Sequence, residues 1–327
     1  MSLFEKLQTV VMLAAVGLGL LAGRFAPAAG FYENLITPAL MAMLFGLFLS
    51  ISLTELKSGF MDLKFTLTSL AVNFLWIPIL GWGLGGLFLA DSPALRLGYL
   101  MLLVTPCTDW YLVFTGLARG NVPLSASILP LNLVVQVALL PVYLIIFAGL
   151  TGRVDLELLA RSIVLVLVLP FGLAQAVRHG FGMKKARQVL ETIFGGGQFW
   201  FLCLAIMAMF ASQADRLAGN MGLFLKLLAP VSMFFVVNFV LVRGLSRLMN
   251  FSFADSVSLS LTTLARNSPI SLAIAVTAFP NEPLVALALV IGPLIELPIL
   301  AIITQVLLWL RPADDQPKSP KISGSSS

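Results

Sequence analysis

The chain has 327 residues, 59% of them hydrophobic and only 11% charged, with a mean hydropathy of +1.00. Soluble domains carry about 25% charged residues, so this composition excludes a soluble domain and makes most of the mass membrane helix. The net charge of +5 sits in short loops between apolar runs. There it reads as a topology signal and not as a nucleic-acid-binding surface.

Apolar runs fall at about 8–25, 35–53, 66–90, 95–118, 122–149, 158–179, 197–213, 222–247, 253–279 and 283–310. The expected fold is all-α, a ten-span integral membrane protein. The first run lacks a basic flank and a cleavage site, so it reads as a span and not as a signal peptide. The fourth run is interrupted at Val104-Thr105-Pro106-Cys107-Thr108-Asp109, and the ninth at Leu264-Ala265-Arg266-Asn267-Ser268-Pro269. The seventh opens on Gly195-Gly196-Gly197, read as a flexible connection and not as a nucleotide-binding loop. Residues 312–327 are polar and Pro/Ser-rich and are expected to be a disordered tail. Residues 1–311 then form one transmembrane domain. The excess of Lys and Arg on the side that holds both termini places those termini in the cytoplasm, beneath the cell (inner) membrane.

The halves echo each other at an offset of about 165 residues. Val72-Asn73-Phe74 matches Val237-Asn238-Phe239, Pro106 matches Pro269, and Pro130-Leu131 matches Pro293-Leu294. Three pairs in one order predict a repeat over about 1–150 and 151–311. Five spans per copy require the second to be inverted, the plan of many secondary transporters.

A proline and an ionisable group inside a bilayer are costly, so they mark function more often than stability. If spans 4 and 9 cross, four half-helix ends converge and can hold a polar solute. Cys107 offers a soft sulfur ligand, suited to a transient contact with a thiophilic metalloid. Asp109 and Glu296 are the candidates for carrying a proton or another ion. Arg266 either pairs with Asp109 or anchors an anionic substrate. Thr108, Asn132, Asn267 and Ser268 are candidate substrate hydrogen-bonders. Asn73 and Asn238 read as supporting interhelical hydrogen-bond partners, and Gln136, inside span 5, as a further supporting residue. Cys203 and His179 carry no ligand spacing, and no familiar enzyme or cofactor motif is present. Without an ATPase domain, uphill transport must use an ion gradient.

The segment Thr115-Gly-Leu-Ala-Arg-Gly-Asn-Val-Pro-Leu-Ser125 resembles a stretch of the bile acid/sodium symporter superfamily. The finer resemblance is to its arsenical-resistance exporters. It rests on Cys107 eight residues before Thr115, on Asn132 and Gln136 as Asn-x-x-x-Gln, and on the run Leu272-Ala273-Ile274-Ala275-Val276. The resemblance implies ten helices with crossing spans 4 and 9, and export of arsenite or antimonite, with a proton favoured over sodium as the coupling ion. The departures are specific. Tyr111 and Leu112 stand where symporters place a sodium-binding Ser-Asn pair, and Ser271 stands where the exporters carry a Glu. Arg266 and Asp109 lie outside the exporter pattern. They keep open a second cargo, an anion such as arsenate or a small carboxylate, and a third reading as a receptor without flux.

Overall fold

The computed structural model describes residues 3–25, 29–50, 62–107, 110–149, 157, 161, 162, 164–179, 188–212, 214 and 221–311. All named elements among them are helical. They are α1 (Leu3–Phe25), α2 (Ala29–Ser50), α3 (Leu63–Phe88), α4 (Pro93–Leu103), α5 (Trp110–Leu117) and α6 (Val122–Gly149). Then come α7 (Leu169–His179), α8 (Gln188–Ser212), α9 (Met221–Leu248), α10 (Phe253–Leu264), α11 (Ser268–Ala278) and α12 (Pro283–Trp309).

Among the described residues, six stretches are long and apolar enough to cross a membrane: Gly30–Leu49, Leu63–Phe88, Val122–Phe147, Gln188–Ser212, Gly222–Leu248 and Pro283–Trp309. At about 1.5 Å per residue, α4 and α11, of 11 residues each, reach only about half of a ~30 Å hydrocarbon core. The expected interruptions of the fourth and ninth runs are thus real helix ends and not kinks. Exposed Leu67, Leu75 and Ile79 on α3, and Val236 and Val240 on α9, turn apolar side chains outward. A bilayer solvates such faces and water does not.

Local chemistry sets the helix starts. Asp62 accepts from the Phe65 N–H at 2.9 Å to begin α3, and Ser252 accepts from the Asp255 N–H at 3.1 Å to begin α10. Pro93, Pro269 and Pro283 sit in the first turns of α4, α11 and α12, where a missing N–H costs nothing. Pro269 therefore starts a helix, whereas Pro106 lies in extended chain between two helices.

Helices α1, α2, α7 and α8 pack on one another. The second group sets α4 against α12, α9 against α10 and α12, and α6 against α4, α5 and α10. α11 touches both groups, reaching α2 and the π-helical turn Val164–Val168 before α7. Small residues make the closest approaches: Gly46 of α2 lies against the Phe194 carbonyl of α8, and Gly98 of α4 against the Val285 carbonyl of α12. Neither site has room for a Cβ, as expected of helices packed in lipid.

The structure corrects one expectation and extends another. Gly195-Gly196-Gly197 is no flexible connection. It lies inside α8, which begins at Gln188 and passes through a π-helical turn at Glu191–Gly195. Packing of α2 on this segment outweighs the weak helix preference of glycine. In α3, another π-helical turn spans Val72–Trp76 and includes Asn73. The Tyr143 hydroxyl of α6 donates to the Phe74 carbonyl in that turn. Thr108, Asp109 and the tail at 312–327 lie outside the described residues.

Candidate functional site

The two breaks meet. Pro106 and Arg266 face each other as an antiparallel backbone bridge. It is closed on either side by the Cys107 N–H donating to the Ala265 carbonyl at 3.0 Å and the Asn267 N–H donating to the Thr105 carbonyl at 2.6 Å. In such a pair the two facing residues make no main-chain bond to each other. Proline therefore fits at 106, because its missing N–H lies where none is needed. For the same reason the Arg266 N–H is left pointing away from the bridge. A carboxylate of α12 takes it: Glu296 Oε1 accepts from it at 2.7 Å.

The Arg266 side chain turns into the C-terminal ends of the two preceding half-helices. Nη1 donates to the Leu103 carbonyl of α4 at 2.9 Å. Nη2 donates to the Thr263 carbonyl at 2.6 Å, and Nε to the Leu264 carbonyl at 3.2 Å, both of α10. Nη2 also donates to Asn73 Oδ1 at 2.8 Å, and the guanidinium carbon lies 5.6 Å from the Phe234 ring centroid of α9. Carbonyls in a last helical turn lack intrahelical donors and carry the negative end of the helix dipole. One guanidinium thus caps two helices. Arg266 is 3% exposed and Glu296 4%, so both charges are held away from solvent and their compensation comes from protein groups.

Hydroxyls lock the junction further. Ser271 Oγ donates to the Met101 carbonyl at 2.8 Å and lies 3.2 Å from Thr105 Oγ1. Thr105 Oγ1 in turn donates to the Met101 and Leu102 carbonyls. Ser271, where the resemblance expects a Glu, is thus a rivet between α11 and α4. Asn238 also bonds at the junction, its Nδ2 donating to the Thr263 carbonyl at 2.9 Å while its buried Oδ1 is left without a partner. Cys107, Asn267 and Ser268 are all buried at the junction.

Helix α6 presents the opposite situation. Asn132 and Gln136 are fully buried, yet both polar atoms of each side chain lack a hydrogen-bond partner. The hydroxyl of Ser125 is likewise buried and unpartnered. Spacings of seven and four residues put Ser125, Asn132 and Gln136 on one helix face. Tyr111 of α5 lies alongside, its hydroxyl donating to the Ser125 carbonyl at 2.9 Å. Buried polar groups are nearly always bonded, so such a stripe calls for an explanation.

The structure thus brings together Cys107, Arg266, Asn267, Ser268, Glu296, Asn73 and Asn238, and sets Asn132 and Gln136 on a helix packed against both broken spans. Sequence reasoning passed over Ser125 and Phe234, and gave Thr105 and Ser271 no bonding role. Ser125 was within reach, being one helical repeat before Asn132 on the same face.

Comparison with known proteins identifies the family of the chain. A model of the Sodium Bile acid symporter family matches residues 37–220. The arsenical-resistance protein Acr3 of Corynebacterium glutamicum is 29% identical over 280 residues, covering 79% of this chain and 74% of its own. Acr3 of Alkaliphilus metalliredigens is 21% identical over 327 residues, covering 93% and 92%. An uncharacterised protein of Bacillus subtilis, YbaS, is 25% identical over 252 residues, covering 74% and 80%. The family match spans more than half of the chain, including the first break and all of α6. This chain therefore belongs to the Sodium Bile acid symporter family and is a multi-pass membrane transporter.

Proposed function

We propose that the chain is a secondary active exporter of a neutral trivalent metalloid hydroxide, arsenite or antimonite, driven by proton antiport. One observation carries this reading. The cation of the junction is bonded by protein oxygens, while the polar face of α6 is bonded to nothing. What the protein offers its cargo is hydrogen bonds and a thiol, not a bare charge. A neutral hydroxide can donate to and accept from Asn132 and Gln136, with Asn267 and Ser268 of the second break as further candidate partners. Cys107 would supply a transient soft contact. A single thiol allows release where several would hold the cargo too tightly. The Acr3 relatives, named for arsenical resistance, support this cargo.

The anion alternative asks Arg266 to leave four oxygen acceptors, each a charge-assisted bond worth about 1.5–3 kcal/mol. The neutral cargo asks for no such rearrangement. In this reading Glu296 or Asp109 carries the counter-moving proton. Importing one charge per neutral solute exported gains about 2.3 kcal/mol per 100 mV.

The proposed architecture is ten spans in two inverted repeats. α3–α6 and α9–α12 follow one order: a long helix with a buried Asn, two short helices around a break, and another long helix. The broken spans cross at the Pro106–Arg266 bridge, the termini are cytoplasmic, and one helix group rocks against the other to alternate access.

The test is uptake into everted membrane vesicles under an imposed proton gradient, with arsenite, antimonite and arsenate in parallel. The parent should accumulate arsenite and antimonite, and Cys107→Ser should lose that uptake. Equal uptake by Cys107→Ser removes the thiol role. Uptake of arsenate alone returns the cargo to an anion.

A further inference from the structure

We infer that the Arg266 guanidinium is a resident cation in a ring of oxygens otherwise suited to an alkali ion, so that this chain's cycle needs no alkali cation at the junction. The inference uses the proposed transport site only for its flux arm. Four acceptors converge on the guanidinium, namely the carbonyls of Leu103, Thr263 and Leu264 and the Oδ1 of Asn73. Three of them belong to the last turns of α4 and α10, where two helix dipoles present their negative ends. Glu296 adds a full negative charge one peptide away, on the Arg266 N–H. Hard oxygen ligands of this kind, including carbonyls at helix C-termini, are what transporters use to coordinate small cations.

Charge balance points the same way. The ring and Glu296 together need about one positive charge, and Arg266 supplies it covalently. A bound ion can leave with each transport cycle, but a tethered one cannot. It therefore holds the junction closed without contributing to coupling. The unpartnered Asn132 and Gln136 and the thiol of Cys107 are then left to the cargo.

The decisive comparison is purified full-length protein, as wild type, Arg266→Ala and Arg266→Lys, unfolded thermally in choline, sodium or potassium chloride at matched ionic strength. The wild type and Arg266→Lys, which keeps a tethered charge, should melt at the same temperature in all three salts. Arg266→Ala should melt lowest in choline and be raised by sodium or potassium in a saturable, concentration-dependent way. Recovery of Arg266→Ala as monodisperse protein only when an alkali salt is present supports the inference equally. It is overturned if Arg266→Ala responds to no alkali cation, if it aggregates in every salt, or if sodium or potassium stabilises the wild type to the same degree. In vesicles, wild-type flux should be unchanged when choline replaces sodium, and sodium-dependent flux overturns the inference. If no arsenite flux is seen in any salt, the cargo assignment fails and the melting result stands by itself.

Discussion

The junction and the inner face of α6 are equally buried and opposite in their bonding. At the junction Arg266, Thr105 and Ser271 are engaged by neighbours, and even the lone N–H that the bridge leaves over is taken by Glu296. On α6, five polar side-chain atoms of Ser125, Asn132 and Gln136 are bonded to nothing. Polarity inside a membrane protein therefore has two meanings here. Bonded polarity holds two broken helices together, and unbonded polarity is what a passing solute can use.

Substitutions can break or sharpen that contrast. The largest effect is expected at Glu296. Glu296→Leu strands the Arg266 N–H and leaves a buried charge uncompensated, at a cost of about 3–5 kcal/mol. It should appear as loss of monodisperse protein on size exclusion. Glu296→Gln keeps an acceptor for the Arg266 N–H but not the charge, so it should be destabilised less than Glu296→Leu and lose proton-driven flux. If it transports normally, Asp109 is left as the carboxylate for that role.

Next come two asparagines of the same type and burial. Asn73→Leu removes an acceptor from the guanidinium and should cost about 1–3 kcal/mol. Asn132→Leu removes two unpartnered groups from the interior, so it should leave thermal stability unchanged or raised while flux falls at least about tenfold, the equivalent of one good hydrogen bond. Equal destabilisation by both variants erases the distinction between the two regions. Ser271→Ala should cost about 1 kcal/mol through the lost bond to the Met101 carbonyl, read as a small drop in melting temperature with flux retained.

The smallest effect lies outside both regions. In the turn before α4, the Lys226 ammonium hydrogen-bonded to Asp91 holds that carboxyl below its ordinary value of 3.8. A depressed carboxylate contributes stability above its unfolded pKa and loses it as pH falls through the folded value. Asp91→Asn should therefore lower the melting temperature slightly near neutrality, with the difference from the parent vanishing as pH falls below about 4. The pair is exposed and screened, so the change is slight.

Much of this was legible in the chain. Both breaks were found where the helices end, because a proline beside polar residues cannot continue an apolar helix without cost. The asparagines at 73 and 238 were read as interhelical partners and do bond across helices. The triple glycine misled because local propensity says turn, while packing against Gly46 holds that segment helical. Arg266 was expected to pair with Asp109, which lies outside the described residues, or to anchor an anion. Most of the partners found for its guanidinium are main-chain carbonyls, which every residue carries and no sequence motif marks.

Composition alone determined that the chain lives in a membrane, and residue order determined where its helices break, because both follow from the cost of polar groups in lipid. Only the tertiary structure decided which polar groups are already spoken for. The partners of Arg266 come from residues 73, 103, 263, 264 and 296 on four different helices. Their convergence depends on how two half-helix ends are docked, and that information lies in the packing and in no single stretch of the sequence.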